Sequence, residues 1–278
     1  MIDFQLKSAG FCYASKHHAL RGAEKKTIQY FATYGLIRHP EYGVILFDVG
    51  YSQRFFDCTE KLPYRIYQFL TKVKITPEEE VVNVLRSEGI EPEEVKYIIL
   101  SHFHADHIGG LKDFPKAKFI AGKVAYEAIK DKKGWAAMLH GYVPMLLPDD
   151  FESRLQLIEI EKGTYYDKDL GKLIDVFGDG SIPLCDLNGH AIGQIGAVLN
   201  TNKGTVFLIA DACWLEETYK ENWLPNPIVR LITGSWKGFL ASLKKVQSYY
   251  KNNPETVIIP CHCEATMRRF WEGQDDKV

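Results

Sequence analysis

The chain has 278 residues, 46% of them hydrophobic and 25% charged, with 34 Lys and Arg against 36 Asp and Glu. Those values exclude a mainly disordered chain, a coiled coil and a collagen-like fibre, and a net charge of -2 offers no electrostatic footprint for nucleic acid. No apolar run reaches the roughly 18 to 20 residues that span a bilayer, and the opening MIDFQLKSAG lacks a basic segment followed by an apolar one. The expectation is therefore one cytoplasmic domain over residues 1–278, binding neither membrane nor nucleic acid.

Taken in chain order, Tyr34 to Ile37 and Val44 to Phe47 flank the turn-rich His39-Pro40-Glu41-Tyr42-Gly43 and read as a hairpin. The second strand ends in Asp48-Val49-Gly50. An aromatic-rich insert follows at about 51–75, with Phe55, Phe56, Tyr64, Tyr67 and Phe69. It is expected to pack on the core or on a second subunit of a homodimer, with the lining of an acyl pocket as the alternative. Thr76 as N-cap, Pro77 at N1 and Glu79 at N3 predict one capped helix through Val81, Val82, Val84 and Leu85, closed by Gly89.

Val95 to Leu100 is a short β-rich run of the buried kind. Lys118 to Ala121 predicts a strand, and Val124 to Lys130 a helix. Further strands are predicted at Leu155 to Ile160, Leu173 to Phe177, Ile195 to Asn200, Thr205 to Ala210 and Val257 to Ile259. Residues 235–251 read as a helix with Phe239, Leu240, Leu243, Val246 and Tyr249 on one face. Lys244, Lys245 and Lys251 read as its solvated side. Trp223 and Trp236 flank the loop Asn222 to Gly234, which either caps a site or lies on the surface. Strands in runs, with helices between, predict sheets with helices outside. The six cysteines form no C-x-x-C pair and are expected to be reduced and buried.

Chemistry concentrates in Ser101-His102-Phe103-His104-Ala105-Asp106-His107-Ile108-Gly109-Gly110. Three His and one Asp fall within six residues, directly after a buried strand. Imidazole and carboxylate are the donors expected for zinc and similar divalent ions. Residues two apart on extended chain point the same way, so His102 and His104 can grip one ion, and after the turn Asp106 and His107 can face a second. Left unpaired, so many polar groups at the end of a buried strand would be costly. Four ligands are too few for two ions, and His190, Asp211 and His262 supply the rest. His190 lies before a predicted strand; Asp211 and His262 each end one.

The order Asp48, H-x-H-x-D-H at 102–107, His190, Asp211, His262 resembles the metallo-β-lactamase superfamily of αββα hydrolases over nearly the whole chain. The resemblance implies an α/β sandwich of two mixed sheets flanked by helices. It implies His102, His104 and His190 on one metal, Asp106, His107 and His262 on the other, and Asp211 bridging. Asp48 would orient neighbouring backbone and ligands. True β-lactamases of the superfamily lack one of these ligands, and flavodiiron proteins replace the second His of H-x-H. RNA-processing branches carry further domains, and glyoxalase II enzymes a long helical part after the last ligand. Among the compact hydrolases that remain, Ile75 to Leu85, Glu91-Pro92, Tyr97 to Ile99 and Ser101 to Gly110 look like the quorum-quenching N-acyl-homoserine-lactone lactonases. Two positions depart from them. Trp214 stands where those enzymes usually carry a Tyr that contacts the substrate carbonyl, and Gln194 replaces the second His of G-H-x-x-G-H.

The implied chemistry is hydrolysis of a small lactone or ester by a metal-bridging hydroxide, since two divalent ions acidify a shared water. Zinc is the expected ion; Fe, Mn and Co suit the same donors. Asp106 would relay the proton to the leaving oxygen, and Phe103 and Trp214 are candidate substrate contacts. Two alternatives remain. One is a phosphodiesterase on the same metals, which calls for an extra Arg or Lys near the site. The other is a non-catalytic binder of small ligands that keeps the metals.

Overall fold

The apolar runs at Val44–Phe47 and Val206–Ala210 are continuous because these central strands are covered on both faces. The structure, a computed structural model, describes residues 1–271. The first sheet holds β1 (Asp3–Ser15), β2 (Thr27–His39), β3 (Gly43–Phe47), β4 (Lys72–Lys74), β5 (Val95–Leu100), β6 (Lys118–Gly122) and β7 (Leu155–Ile158), in the order β4-β1-β2-β3-β5-β6-β7. The second holds β8 (Tyr165–Asp167), β9 (Gly171–Asp175), β10 (Pro183–Asp186), β11 (Ile195–Thr201), β12 (Gly204–Ala210) and β13 (Val257–Pro260), in the order β13-β12-β11-β10-β9-β8. Both sheets are mixed. β3, β5, β6 and β7 run parallel, as do β12 and β13, and the other pairings are antiparallel.

Alternate side chains of each strand serve different layers, as the two-residue period requires. Ile45 and Phe47 of β3, Ile99 of β5 and Val206 and Leu208 of β12 meet in the layer between the sheets. Leu46, Ile98 and Leu100 point outward into the cluster that includes Leu85, Ile108, Phe119 and Phe151. Phe207 and Ile209 point to the other outer layer, against Leu243, Val246 and Tyr249 of the helix Trp236–Asn252. This is the αββα sandwich of two mixed sheets flanked by helices.

Several local expectations hold and others are corrected. The capping box on Thr76 forms, but it caps only the 3-10 turn Pro77–Glu79, and the α-helix starts afresh at Val81. Glu80 breaks the helix with an extended backbone, φ -63° and ψ 137°. Its carboxylate is drawn away to accept from Ser52 Oγ at 2.7 Å and Gln53 N at 2.8 Å. The aromatic insert forms two short helices, Arg54–Cys58 and Tyr64–Leu70, and buries Tyr51 and Phe55 in the core, while Phe69 is exposed. All six cysteines are free, and Cys12 and Cys58 are only half-buried. Lys245 is not merely solvated: its Nζ donates to the Asp186 carbonyl at 2.8 Å. No helix among the described residues is long and apolar enough to cross a membrane.

Parallel pairing is what positions the site. β3 and β5 end at the same edge of the first sheet, delivering Asp48 and Ser101–His102. β12 and β13 end together in the second, delivering Asp211 and His262. The Ile195 N–H, opening β11, donates to the Ser101 carbonyl at 3.0 Å and joins the two sheets at that edge.

Candidate metal centre

The strand ends turn sharply where the polar side chains begin. Asp48 and Ala210, neither of them glycine, adopt left-handed backbone with φ of 60° and 46°. That conformation is uncommon for a side-chain-bearing residue and persists only where surrounding contacts demand it. After β5 the chain enters the short helix Ala105–Ile108, and Gly109 lets this segment lie against residues 50–52. A Cβ on Gly109 would stand 2.6 Å from the Gly50 carbonyl oxygen.

The structure brings the seven side chains to one edge of the sandwich. His102, His104 and His190 form one group, and His107, Asp211, Cys261 and His262 another, with donor atoms in each group within 4.8 Å of one another. Asp106 Oδ2 lies 3.6 Å from His107 Nε2 and 3.5 Å from His262 Nε2. Asp211 touches both groups: Oδ2 is 3.2 Å from His190 Nε2 and 3.0 Å from His262 Nε2, and Oδ1 is 3.4 Å from His107 Nε2. Cys261, the residue before His262, joins the second group although no spacing rule in the sequence places its sulfur there.

The ring nitrogens facing away from the cluster are held by the protein. His107 Nδ1 lies 2.8 Å from Asp48 Oδ2, and His262 Nδ1 lies 2.6 Å from the Phe31 carbonyl oxygen. Both partners accept, so each Nδ1 carries a hydrogen, and in the neutral ring, the form that binds a metal, Nε2 is left with its lone pair towards the cluster, the arrangement that orients metal-ligating histidines. Asp48 also accepts from Ser101 N at 2.8 Å and Ser101 Oγ at 2.7 Å. Its oxygens are thereby occupied, which matches an orienting role. Gly234 N donates to the His190 carbonyl at 2.8 Å and Ser235 N to that of Gly189 at 2.8 Å, pinning the His190 loop to the start of the helix Trp236–Asn252.

The electrostatics separate the two groups. Burial, then the neighbouring rings, lowers His102, His104 and His190 below the usual imidazole range. Burial also opposes charge on His107, but Asp106 and Asp48 outweigh it and raise that ring well above the range. Asp211 does the same for His262. Burial works against ionised Asp211 too, yet His262 and His190 hold it well below the carboxylate range. The same field that draws protons onto His107 and His262 suits a cation.

A direct test of fit comes from atoms without partners. His102 Nε2, His107 Nε2 and Asp211 Oδ1 are buried and make no hydrogen bond. Leaving such a group unsatisfied costs about 1–3 kcal/mol, and three of them converge here. Imidazole and carboxylate donors fit a divalent ion, which would satisfy them together.

Trp214 does not present its N–H to a substrate. Nε1 donates to Asp211 Oδ2 at 3.0 Å, and the ring packs edge-on against His190, with centroids 5.8 Å apart. Gln194 is fully buried, and its Nε2 donates to the Leu187 carbonyl at 3.3 Å. Beside the first group opens a cavity of about 450 Å³, with His104 and His190 on its wall together with Phe103. Leu231 to Gly234 of the loop flanked by the two tryptophans also line it, whereas the aromatic insert does not. Lys132 lines it too. Sequence reading passed over this residue because it sits in a run of charged residues 130–133 that has the composition of a surface turn.

Comparison with known proteins bears on the family and the fold. The family model of the metallo-beta-lactamase superfamily matches residues 28–262. The N-acyl homoserine lactonase AttM of Agrobacterium fabrum is 27% identical over 181 residues, 64% of this chain and 62% of that protein. The metallo-hydrolase mfmC of Annulohypoxylon moriforme is 30% identical over 206 residues, 70% of this chain and 52% of that protein. The chain thus spans about half to three-fifths of the length of these relatives. An N-acyl homoserine lactone hydrolase with the product N-hexanoyl-L-homoserine bound at its catalytic metal centre superposes with a TM-score of 0.70 at 21% identity, covering 95% of this chain and 94% of that one. A probable metal-dependent hydrolase from Staphylococcus aureus superposes with a TM-score of 0.70 at 13% identity, covering 95% and 90%. At such identities the structural likeness concerns the fold.

Proposed function

The chain belongs to the metallo-beta-lactamase superfamily, and from that premise we propose that it is a metal-dependent hydrolase of a lactone or carboxylic ester. The observation that carries this reading is the convergence of buried imidazole and carboxylate atoms without hydrogen-bond partners beside a cavity of mixed apolar and polar lining. His102, His104 and His190 would hold one divalent ion. Asp106, His107 and His262 would hold a second, with Asp211 between them and zinc the expected metal. When bound, such ions supply Lewis-acid polarisation of a carbonyl and a water acidified towards neutrality.

The remaining work falls to this chain's own side chains. Asp48 and Ser101 fix the His107 ring, and the Phe31 carbonyl fixes His262. Trp214 holds Asp211 in place, a positioning role in contrast to the substrate contact that the lactonase likeness implies. Asp106, at the edge of the second group beside His107 and His262, would pass a proton to the leaving oxygen. His104 is only half-buried and Phe103 lines the cavity, so a substrate carbonyl would approach past these two. The names of the relatives make an N-acyl homoserine lactone the first substrate to try. Lys132 is the observation that favours a second reading, a phosphodiester, because that chemistry calls for a cation near the site.

The test is metal analysis coupled to a panel of lactones, aryl esters and bis-aryl phosphodiesters. We expect about two equivalents of a divalent ion, turnover of a lactone or ester, and loss of both in His104→Ala. Metal content and turnover that survive His104→Ala would refute the site, and full loading with an inert panel would leave a binding protein.

A further inference from the structure

The cavity beside the cluster has a composition that limits what it can hold. It is bounded by the helix Lys123–Ile129, the turn at Leu139 and His140, the Ala191–Ile192 segment and the loop Leu231–Gly234. Phe103, Ile129, Ile192, Leu139, Leu231 and Ile232 give it an apolar lining. The last three of these carry 69%, 81% and 60% of their surface exposed at the mouth. Large apolar side chains left in water around a cavity mark a place where an apolar ligand covers them.

The polar side chains on the wall are those of His104, Lys132, His140, His190 and Thr233. His104 and His190 belong to the cluster, and Thr233 Oγ1 donates to the Val229 carbonyl at 2.8 Å. His140 is exposed, with its Nδ1 donating to the Ala136 carbonyl at 2.7 Å. That leaves Lys132, which is half-buried and has no ion-pair partner among the described residues. No carboxylate among the described residues lines the cavity, although acidic side chains outnumber basic ones in the chain, 36 to 34. A cavity of about 450 Å³ lies at the small end of ligand pockets, room for one compact chain.

We infer that the substrate is an amphiphile, an ester or lactone whose apolar body carries a carboxylate at the end remote from the scissile bond, and that Lys132 selects that carboxylate. This rests on the hydrolase reading above and adds its substrate class. One ammonium matches one negative charge. A terminal phosphate monoester would bring nearly two, and the wall offers no second unspent permanent cation among the described residues. A neutral acyl chain would leave Lys132 half-buried and unpaired, which gains nothing for binding.

A matched pair of substrates tests this on the metal-loaded protein: the nitrophenyl ester of octanoic acid and the mono-nitrophenyl ester of suberic acid, equal in chain length and differing in the terminal carboxylate. The suberate ester is expected to have the lower KM, by roughly tenfold for a partly buried charge-assisted contact. The advantage should shrink as salt is raised, fall to about one in Lys132→Met, and invert in Lys132→Glu. Calorimetry of suberic acid monoamide against octanamide gives the same comparison without turnover. If neither ester is cleaved but the monoamide binds in a Lys132-dependent way, the hydrolase reading fails and the carboxylate pocket stands. If both esters are cleaved with equal KM, or the preference survives Lys132→Met, the pocket assignment is overturned. Lys132-dependent cleavage of a bis-aryl phosphodiester in place of the esters overturns it as well.

Discussion

Replacing Asp48 by Asn removes one acceptor from the edge of the metal centre and little else. Asn tolerates left-handed backbone as Asp does, so the φ of 60° is not the variable. The carboxylate accepts from Ser101 N, Ser101 Oγ and His107 Nδ1, at 2.8, 2.7 and 2.8 Å. An amide has one oxygen to offer. If that oxygen keeps Ser101 N, the amide NH2 faces the hydrogen on His107 Nδ1. His107 then either loses its partner or moves the hydrogen to Nε2, the atom aimed at the cluster. A buried donor without a partner costs about 1–3 kcal/mol. Loss of an orienting contact to a metal-bound histidine typically weakens metal binding about 10- to 100-fold, or roughly 1.4–2.7 kcal/mol. The assay is competition for zinc between the protein and a chromophoric chelator, with thermal unfolding of chelated protein as the control for stability. Ser101→Ala, which removes only the hydroxyl, should cost less, about 0.5–1.5 kcal/mol. Asp48→Asn that folds normally and holds metal with parental affinity would refute the argument that His107 is a ligand set by Asp48.

Trp214→Phe keeps an aromatic face near His190 and Tyr30 but loses the 3.0 Å bond to Asp211. Metal affinity is expected to fall about tenfold in the same chelator competition, since bonds to charged groups carry roughly 1.5–3 kcal/mol; unchanged affinity would show that the indole N–H does not position Asp211. Gly141 has φ of 63°, and a Cβ there would lie 2.8 Å from His104 Cδ2. Gly141→Ala should therefore lower the unfolding free energy by about 1–2 kcal/mol or more, measured by denaturant titration, and reduce metal content by displacing His104. At Ala210, with φ of 46°, replacement by Gly trades about 1–2 kcal/mol of left-handed strain against a similar loss in chain entropy and buried methyl. Ala210→Gly should thus unfold within about 1 kcal/mol of the parent, while Ala210→Val should lose several times that.

What could be read from sequence divides along a physical line. β5 spans Val95–Leu100 as predicted, because its second half, Ile98–Leu100, is buried on both faces and reads as an unbroken apolar run whose limit shows. β1 runs for 13 residues and was not marked as one element. Its half-buried faces mix Lys7, Ser8 and Gly10 with apolar residues, and its register slips at a bulge between Ser8 and Phe11. The capped helix at Thr76 was misjudged in extent, because the Glu80 carboxylate that breaks it finds partners 27 and 28 residues away. Local spacing carries no trace of such a bond. The same holds for Lys132 and for Leu231 to Gly234, which become cavity residues only when separate loops meet.

The cluster was legible for the opposite reason. Its residues are scattered from 102 to 262, yet they fall in the turn and short helix after β5, the loop between β10 and β11, and the ends of β12 and β13, and strand termini are the places that sheet topology gathers. Parallel pairing of β3 with β5 and of β12 with β13 means that neighbouring C-terminal ends share an edge. A polar residue at the end of a buried parallel strand is thus committed to a shared site before any tertiary contact is known. Asp211 and His262 illustrate this: 51 residues apart in sequence, they sit on adjacent strand ends with Oδ2 and Nε2 3.0 Å apart. Depth within the sandwich then decides their chemistry. Asp211 is 2% exposed, so water cannot solvate its charge, and the surrounding histidines must do so with protons or with a shared cation.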